Sequence, residues 1–539
     1  MPQAPQNRSA RLSVELKLQV QNLVQIGTAL SSERNIDVLL EMIVDESRRF
    51  TGADGGTLYV VSDDGSYLDW QILHNHTMGT RMGGTSGVAI HLPPVPLSIE
   101  GSPNTNNVSA ACANTGGPIN IPDAYEAEGY DFAGTRIYDQ TNNYRSKSVL
   151  VVPLRNHEDD IIGVLQLINA QEAGTDEVIT FSTESQELVI ALASQAAVAI
   201  TNAKLIRDLR DMFDAFIEVI ATAIDEKSPY TAGHVRRVAD LTMQIAGAIS
   251  RSKDEPWEDT LFSPEELDEL RIAAWMHDVG KITTPEYVVD KSTKLETIHD
   301  RIELVQARWE IVKQDLLIQA LKEELSDETL TTVVDKLAGQ HQALDEEIDF
   351  VRKSNRGSEY MDNEEVERLS GLAERRVQIG GESQPAISDD ELYNLSIRKG
   401  TLTDEERSII QNHAAVSIKM LSQLPFTKTL KHVPEYAGGH HEKLNGKGYP
   451  LGLNAEQLPL QARILAVADV FEALTAPDRP YRAPMPLERA MAIVAAMVEE
   501  GELDSEIVNL FVDSGVVAAY VEKELRPSQY GKETDRENP

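Results

Sequence analysis

LDELRIAAWMHDVGKI, residues 267–282, sets a histidine and an aspartate, His277 and Asp278, directly behind the apolar run Ala273-Ala274-Trp275-Met276. The stretch reads as a helix, and Gly280 is suited to cap its C-terminal end. An aspartate after so apolar a run is costly to bury unless it is paired or bound to a metal. For His277 alone a satisfied core histidine is the simpler reading, and for Asp278 alone an ion pair suffices, so the case rests on their partners.

The partners are His234 in TAGHVRRV, His413 in IIQNHAAVSIKML, His440 and His441 in GGHHEKLNGKGYP, and Asp469 in RILAVADVFEAL. Neutral imidazole and carboxylate oxygen together suit borderline divalent metals such as Fe, Mn or Zn. Neighbouring side chains on a helix diverge by roughly 100°. His440 and His441 therefore fit one ion best at a helix end, where the backbone departs from that spacing. Asp469 sits in an otherwise apolar helix, as Asp278 does, and two such aspartates suggest one shared buried site. A second pair, His299-Asp300, lies among charged residues and reads as a solvated helix face.

From Ser228 onward the chain reads as all-helical, with Pro229 and Gly233 punctuating the entry. Residues 296–384 hold no proline, and ETIHDRIELVQARWEIVKQDLLIQALKEEL is charged and helically periodic. A helical hairpin turning near Asn355-Arg356-Gly357 is expected there. Before Ser228 the pattern mixes helix and strand: a helix (IDVLLEMIVDESRRF), a strand (GGTLYVV), a loop rich in Pro, Gly and Asn, then the strands SVLVVPL and IIGVLQLI across a polar turn. This predicts an α+β module with an antiparallel sheet. Leu205, Leu209, Phe213, Phe216 and Ile220 recur at spacings of four, four, three and four and continue the module's last helix toward the next domain. Leu12, Leu16, Leu23, Ile26 and Leu30 form a similar stripe near the start. It reads as an amphipathic helix able to pair or to pack on its own domain, and together the two stripes favour a parallel homodimer.

The 539 residues are 41% hydrophobic and 25% charged, enough for two or three domains with cores of their own. Fifty Lys and Arg stand against 87 Asp and Glu, a net charge of −37, so the summed field repels nucleic acid and anionic lipid. No nucleic-acid or membrane partner is expected, and an anionic substrate must be met by local positive charge. The single cysteine, Cys112, can form no intramolecular disulfide and reads as a small buried residue. The N-terminus has no continuous apolar segment, and nothing downstream approaches about 18 unbroken apolar residues. A cytoplasmic protein is expected.

GGPINIPDAY, YRSKSVLVVPLRN, IIGVLQLINA and FSTESQELVIALASQAAVAITNA together resemble GAF domains. The resemblance implies a small-ligand pocket or a dimerising surface, though Asp123 and Tyr125 more often fix a loop than touch a ligand. The Asn-Lys element of cyclic-nucleotide-binding GAF domains is broken, since Ala170 follows Asn169.

The second half is similar to HD-GYP domains, bacterial cyclic di-GMP phosphodiesterases, through His234, the pair His277-Asp278 with Lys281, His413, HHEKLNGKGYP and DVFEALTAPDRPYR. That resemblance implies two divalent metals, Fe or Mn, with Asp278 bridging them. His234, His277 and Asp469 would complete one metal site and His413, His440 and His441 the other. Lys281 would meet a phosphate oxygen, Arg479 and Arg482 phosphate or guanine, and the turn at Gly448, Tyr449 and Pro450 would line the substrate. Three departures from the family pattern stand out. Tyr230 replaces a glutamate found in trinuclear members, so no third metal is expected. Lys443 and Asn445 replace an arginine and an aspartate, and the helical insertion is extra.

The expected organisation is multidomain α+β. An amphipathic helix (1–34) leads into a GAF-like antiparallel sheet with helices (35–204) and a connector helix (205–227). An all-α HD-type phosphohydrolase domain (228–295 and 395–525) follows, carrying an inserted helical hairpin (296–394), and a polar tail (526–539) ends the chain. The expected activity is sensor-regulated hydrolysis of cyclic di-GMP to pGpG, with GMP left open as an end product. A non-catalytic cyclic-dinucleotide receptor or scaffold, or a hydrolase of another cyclic dinucleotide, are the alternatives.

Overall fold

The computed structural model describes residues 27–30, 32–33, 35–172, 174–175, 177–227, 233–323, 330–357, 360–476 and 484–531. Of the N-terminal stripe, Leu12, Leu16, Leu23 and Ile26 lie outside these residues. The chain forms two compact units that meet between Phe213 and Asp214, inside the expected connector.

The first unit opens with the helix Ile36–Thr51. The Asn35 side chain accepts from the amides of Asp37 and Val38, and Gly52, at φ 64°, ends the helix in the left-handed conformation that favours glycine. The strands are β1 (Ala53–Val61), β2 (Tyr67–Asn75), β3 (Thr80–Gly83), β4 (Val95–Pro96), β5 (Ser98–Ile99), β6 (Ser102–Pro103), β7 (Ile119–Ile121), β8 (Val149–Arg155), β9 (Ile161–Gln171) and β10 (Val178–Ile179). The main sheet runs β3-β2-β1-β9-β8-β7, with β4 on β2 and β10 on β9. Its pairings are antiparallel.

β8 is apolar from Val149 to Leu154, and its two faces show why. Leu150, Val152 and Leu154 face a core shared with Leu39, Ile43 and Val44 of the first helix and with Val189, Leu192, Ala193 and Ala196. The alternate residues Val149 and Val151 face a second core with Val108, Cys112, Ile121 and Phe132. With both faces covered, a strand needs no polar alternation. Cys112 is buried as expected, and burial pushes its thiol up to about 12. Asp123 fixes its loop by accepting from the Tyr125 amide (2.9 Å) and from Arg145 (3.0 Å).

One helix, Thr183–Asp225, starts in the first unit and ends in the second. Its most apolar 18-residue window has a mean hydropathy of 1.5, enough by length and composition to cross a membrane. Much of that apolarity is accounted for by Val189, Leu192, Ala193, Ala196, Ala197 and Ile200 in the sheet's core. Beyond them, Leu205, Leu209, Phe213, Phe216 and Ile220 stand exposed.

The second unit builds its main core from the helices His234–Arg251, Pro264–Met276, Leu460–Thr475, Leu487–Glu499, Ser505–Asp513 and Val516–Glu524. The insertion has its own core around Trp309, with Val305, Leu344, Ile348 and Val377. Here the structure corrects the expected hairpin. The helices Ile302–Glu323 and Leu330–Asn355 are the packed pair, and Asn355-Gly357 ends the second of them rather than turning the hairpin. After a third helix, Asn363–Ala373, comes an antiparallel ribbon of β11 (Arg376–Ile379) and β12 (Glu382–Pro385). Its turn is Gly380-Gly381, both at positive φ, the dipeptide and conformation that a tight hairpin turn prefers.

Candidate metal centre

Four helices and one loop bring the candidate ligands together. His234 is the first residue of its helix, after Gly233 at φ 74°. His277 and Asp278 follow the end of Pro264–Met276. His413 lies midway along Asp404–Leu421, and Asp469 lies in Leu460–Thr475. The short helix Val433–Gly438 stops before His440 and His441, whose ring centroids lie 4.1 Å apart. The helix-end placement expected for the adjacent histidines is therefore present.

Gly280 holds the motif in place by a different route from the expected cap. The helix ends at Met276 and a 3-10 turn follows over Val279–Thr283. A Cβ at Gly280 would lie 2.0 Å from the His413 carbonyl oxygen and 2.7 Å from the Ser417 amide, so two backbones meet there. The Ser417 hydroxyl accepts from the Gly280 amide (2.9 Å) and donates to the His277 carbonyl (2.8 Å), stitching the two ligand-bearing segments together.

The ring protons point outward. The Nδ1–H groups of His277, His413 and His440 donate to the carbonyls of Ala274 (2.7 Å), Ile410 (2.6 Å) and Ala437 (2.5 Å). Nδ1 of His234 donates to the Glu472 carboxylate, which also accepts from Arg237 (2.6 Å). A carbonyl can only accept, so each of the three Nε2 atoms keeps its lone pair for the centre.

Between these nitrogens lies Asp278, 2% exposed, with its two oxygens turned to different sets. Oδ2 is 3.5 Å from His234 Nε2 and 3.3 Å from His277 Nε2. Oδ1 is 3.3 Å from His413 Nε2 and 3.9 Å from His440 Nε2. Asp469 Oδ1 is 3.3 Å from His234 Nε2. Three groupings place their donor atoms within 4.8 Å of one another: His234, His277 and Asp469; His413, His440 and His441; and His277, Asp278 and His440.

Electrostatics match this donor set except at His234. Burial lowers His413 and, with His441 and His277 beside it, takes His440 well below the usual range. Burial brings His441 to about 4. For Asp278 burial raises the pKa, but Lys281, His277 and His234 outweigh it and hold the carboxyl well below its ordinary value. Burial likewise opposes ionisation of Asp469, and His234 overcomes it. At His234 burial favours the neutral ring, while Glu472, Asp278 and Asp469 raise it well above the usual histidine range. Neutral imidazoles and ionised carboxylates are the forms that bind a divalent cation; His413, His440, His441, Asp278 and Asp469 hold those forms, and His234 would give up a proton on binding one. His277 Nε2 and Asp278 Oδ1 are buried without a hydrogen bond, an arrangement that costs roughly 1–3 kcal/mol per group unless a ligand answers it. By chemistry and by these two orphaned atoms, the residues fit a metal.

Lys281 donates to Asp278 Oδ2 and is a quarter exposed at the edge of the cluster. The Tyr449 ring lies 4.7 Å from that of His441, in the same loop as Gly448 and Pro450. Lys443 and Asn445 are turned away from the centre, toward Glu502 (2.5 Å) and the Glu500 carbonyl (3.0 Å). Arg479, Arg482 and Tyr230 lie outside the described residues. His299 is exposed, whereas Asp300 is part-buried and accepts from Thr293, Ile302 and Asn355. The second His-Asp pair is thus a local cap and not the expected solvated face.

Sequence reasoning missed three supports. Glu472 follows Asp469 by one helical turn, and the cost of a buried carboxylate in an apolar helix applies to it equally. Glu442, 3% exposed, accepts from the amides of Leu451 (2.6 Å), Gly452 (3.1 Å) and Leu453 (2.9 Å) and so folds the loop after the histidines back on itself. Ser417 carries no sequence signal.

Comparison with known proteins agrees with this layout. Residues 35–200 match the GAF domain family, and 231–366 and 360–507 match HD domain families. The chain is therefore a GAF domain followed by an HD-domain region. A relative from Vibrio cholerae named 3'3'-cGAMP-specific phosphodiesterase 3 is 29% identical over 286 residues, 52% of this chain and 35% of that protein. The 3'3'-cGAMP-specific phosphodiesterase 1 of the same organism is 43% identical over 115 residues, 21% of this chain and 26% of that protein. A cyclic di-GMP phosphodiesterase from Thermotoga maritima is 32% identical over 172 residues, 29% of this chain and 46% of that protein. The chain thus spans less than half the length of each of these curated relatives.

Proposed function

We propose that this GAF–HD chain is a metal-dependent phosphodiesterase that opens a cyclic dinucleotide, with cyclic di-GMP as substrate, pGpG as product and GMP as a possible second product. The observation that carries the reading is Asp278, whose two carboxylate oxygens face two separate histidine sets. His234, His277 and Asp469 would hold one divalent cation and His413, His440 and His441 another, with Asp278 shared and iron or manganese the expected metals. Two such cations supply Lewis acidity at phosphorus and make water a competent nucleophile near neutral pH.

The chain's own residues supply the rest. Glu472 and the backbone carbonyls fix the imidazole rings so that their Nε2 atoms stay directed inward. Lys281, at the edge of the cluster, is placed to meet a non-bridging phosphate oxygen and offset its negative charge. This local cation answers the need that the net charge of −37 creates. Gly448, Tyr449 and Pro450 would line the substrate, with Tyr449 beside His441, and Arg479 and Arg482 would contact phosphate or base. The catalytic region is 228–295 with 395–525, and the insertion 296–394 borders it. The exposed stripe Leu205–Ile220 is the seam of a homodimer, the GAF domain takes a small ligand, and the protein is cytoplasmic.

A second reading concerns the bases. Two of the relatives above are named for 3'3'-cGAMP, which favours a hybrid cyclic dinucleotide as a substrate of the same centre. The test is anaerobic purification with metal analysis, then incubation with cyclic di-GMP and with 3'3'-cGAMP and chromatography of the products. Linear product with about two metals per chain supports the enzyme, and the faster substrate chooses between the readings. Bound dinucleotide without product supports the receptor instead.

A further inference from the structure

We propose that Lys227 is a positioning residue for the centre: its ammonium latches the turn that carries Lys281 and so fixes Lys281 against Asp278. The kinetic half of this inference rests on the phosphodiesterase reading, while the latch rests on geometry alone.

Lys227 follows the last turn of the helix Thr183–Asp225. Its Nζ donates to the carbonyls of Lys281 (3.0 Å), Ile282 (2.6 Å) and Thr284 (2.6 Å). An ammonium has three N–H donors, and here each meets a main-chain acceptor. Lys281 and Ile282 lie in the 3-10 turn Val279–Thr283 and Thr284 follows it; the Lys281 carbonyl also accepts from the Thr284 amide (3.0 Å), and a cation is favoured at the C-terminal end of such a turn.

Both ends of the latch are anchored within the second unit. Ile217 and Ile224, on the helix leading to Lys227, are buried against Ile272, Ala273, Met276 and Val279. Arg271 donates to Asp214 at 2.7 Å on the same helix. On the other side, the Gly280 amide is held by Ser417, and the Lys281 ammonium by Asp278. The turn that presents Lys281 is therefore clamped by Ser417 from one direction and by Lys227 from the other.

What lies beyond Lys227 explains why the latch matters. A cavity of about 660 Å³, lined by Lys227, Ile282, Thr284, Glu286, Tyr287 and Ile298 among others, opens on that side of the turn. Ile282 and Ile298 are exposed there, at 54% and 96%. Without the ammonium, the Ile282 and Thr284 carbonyls lose this donor beside the cavity, while the Lys281 carbonyl keeps only the Thr284 amide, and the turn can move toward the open side. Lys227 directly follows the helix Thr183–Asp225, whose Ile224 already packs with Val279 of the same turn.

The test compares Lys227→Met and Lys227→Arg with the wild-type full-length protein, by steady-state kinetics on the better cyclic dinucleotide, metal content and amide hydrogen exchange across 279–284. Lys227→Met is expected to lower kcat by about 10- to 100-fold, the scale of a misplaced catalytic group. KM and metal per chain stay near wild type, and exchange across 279–284 speeds up. Arginine keeps the charge, but its planar fork cannot converge on three carbonyls, so it restores kcat only in part. Wild-type kcat in Lys227→Met overturns the proposal. So does a fall in kcat accompanied by metal loss or by unchanged exchange, as a general structural or long-range charge role would give. If Lys227→Met does not fold, Lys227→Arg decides: slower turnover with faster local exchange supports the latch, and either change alone overturns it. If the wild type opens no cyclic dinucleotide, the function reading fails, and the latch is judged on exchange alone, with unchanged exchange overturning it.

Discussion

The second unit carries the His-Asp dipeptide twice, and the two copies end in opposite states. His277 and Asp278 are buried and leave one ring nitrogen and one carboxylate oxygen without a hydrogen bond. His299 is exposed, and the Asp300 carboxylate is filled by Thr293 Oγ1 (2.8 Å), the Ile302 amide (2.9 Å) and Asn355 Nδ2 (2.9 Å). Three ordinary donors of the protein satisfy one aspartate. The other is ringed by His234, His277, His413 and His440, whose Nδ1 protons are spent on outward acceptors. A metal centre differs from a cap in where the neighbouring protons go, which a dipeptide cannot encode.

Breaking the first copy should have the largest effect. Asp278→Ala removes the carboxylate shared by both histidine sets, and we expect turnover to fall below detection and bound metal to drop, measured by product chromatography and metal analysis. The GAF domain should keep its fold, read by its own unfolding transition. Retained turnover would falsify the metal mechanism.

Next in size is Gly280→Ala. A Cβ placed 2.0 Å from the His413 carbonyl forces the two ligand-bearing segments apart and strains both Ser417 hydrogen bonds. Overpacking of this kind costs roughly 3 kcal/mol, visible as a lower midpoint for unfolding of the HD-domain region in denaturant. An unchanged midpoint would mean that the backbones separate without penalty.

These two cases show what was legible in the sequence. The order of ligands, the apolar setting of Asp278 and Asp469 and the departure from helical spacing at His440-His441 could all be read locally, because each depends on neighbours within one turn. The continuous apolar runs of β8 and β9 announced strands for the same reason. Gly280 was recognised as special, but a glycine that caps and a glycine that admits another backbone look alike until the partner helix is in place. Ser417 lies far along the chain from Gly280, and no periodicity links them. The Gly380-Gly381 ribbon did carry a signal in the dipeptide itself, although only its first strand, Arg376–Ile379, holds β-branched residues. It was overridden by the charged helical period that precedes it. That Ile302–Glu323 packs on Leu330–Asn355 was hidden similarly, because helical periodicity runs through both.

Smaller again is Glu472→Gln, which keeps volume and removes the charge that orients His234 and pairs with Arg237. Loss of such an outer partner typically weakens metal affinity by about 10- to 100-fold. Titration with manganese under anaerobic conditions would measure it. An affinity equal to wild type would show that His234 is held by packing alone.

The smallest effect belongs to the second copy. Asp300→Ala removes the group that receives the Ile302 amide at the start of the helix Ile302–Glu323 and frees Asn355 Nδ2. The Asn355 backbone and side chain also accept from the amides of Lys294 (2.8 Å) and Leu295 (2.8 Å), so the loss reaches the root of the insertion. An N-terminal cap is worth about 1 kcal/mol, up to roughly 2, and the carboxylate is replaced by a methyl group without leaving a buried charge behind. Metal content and kcat should therefore match wild type while the insertion exchanges its amide hydrogens faster. A fall in metal content in Asp300→Ala would contradict the contrast, because it would make the second pair part of the centre that it resembles only in sequence.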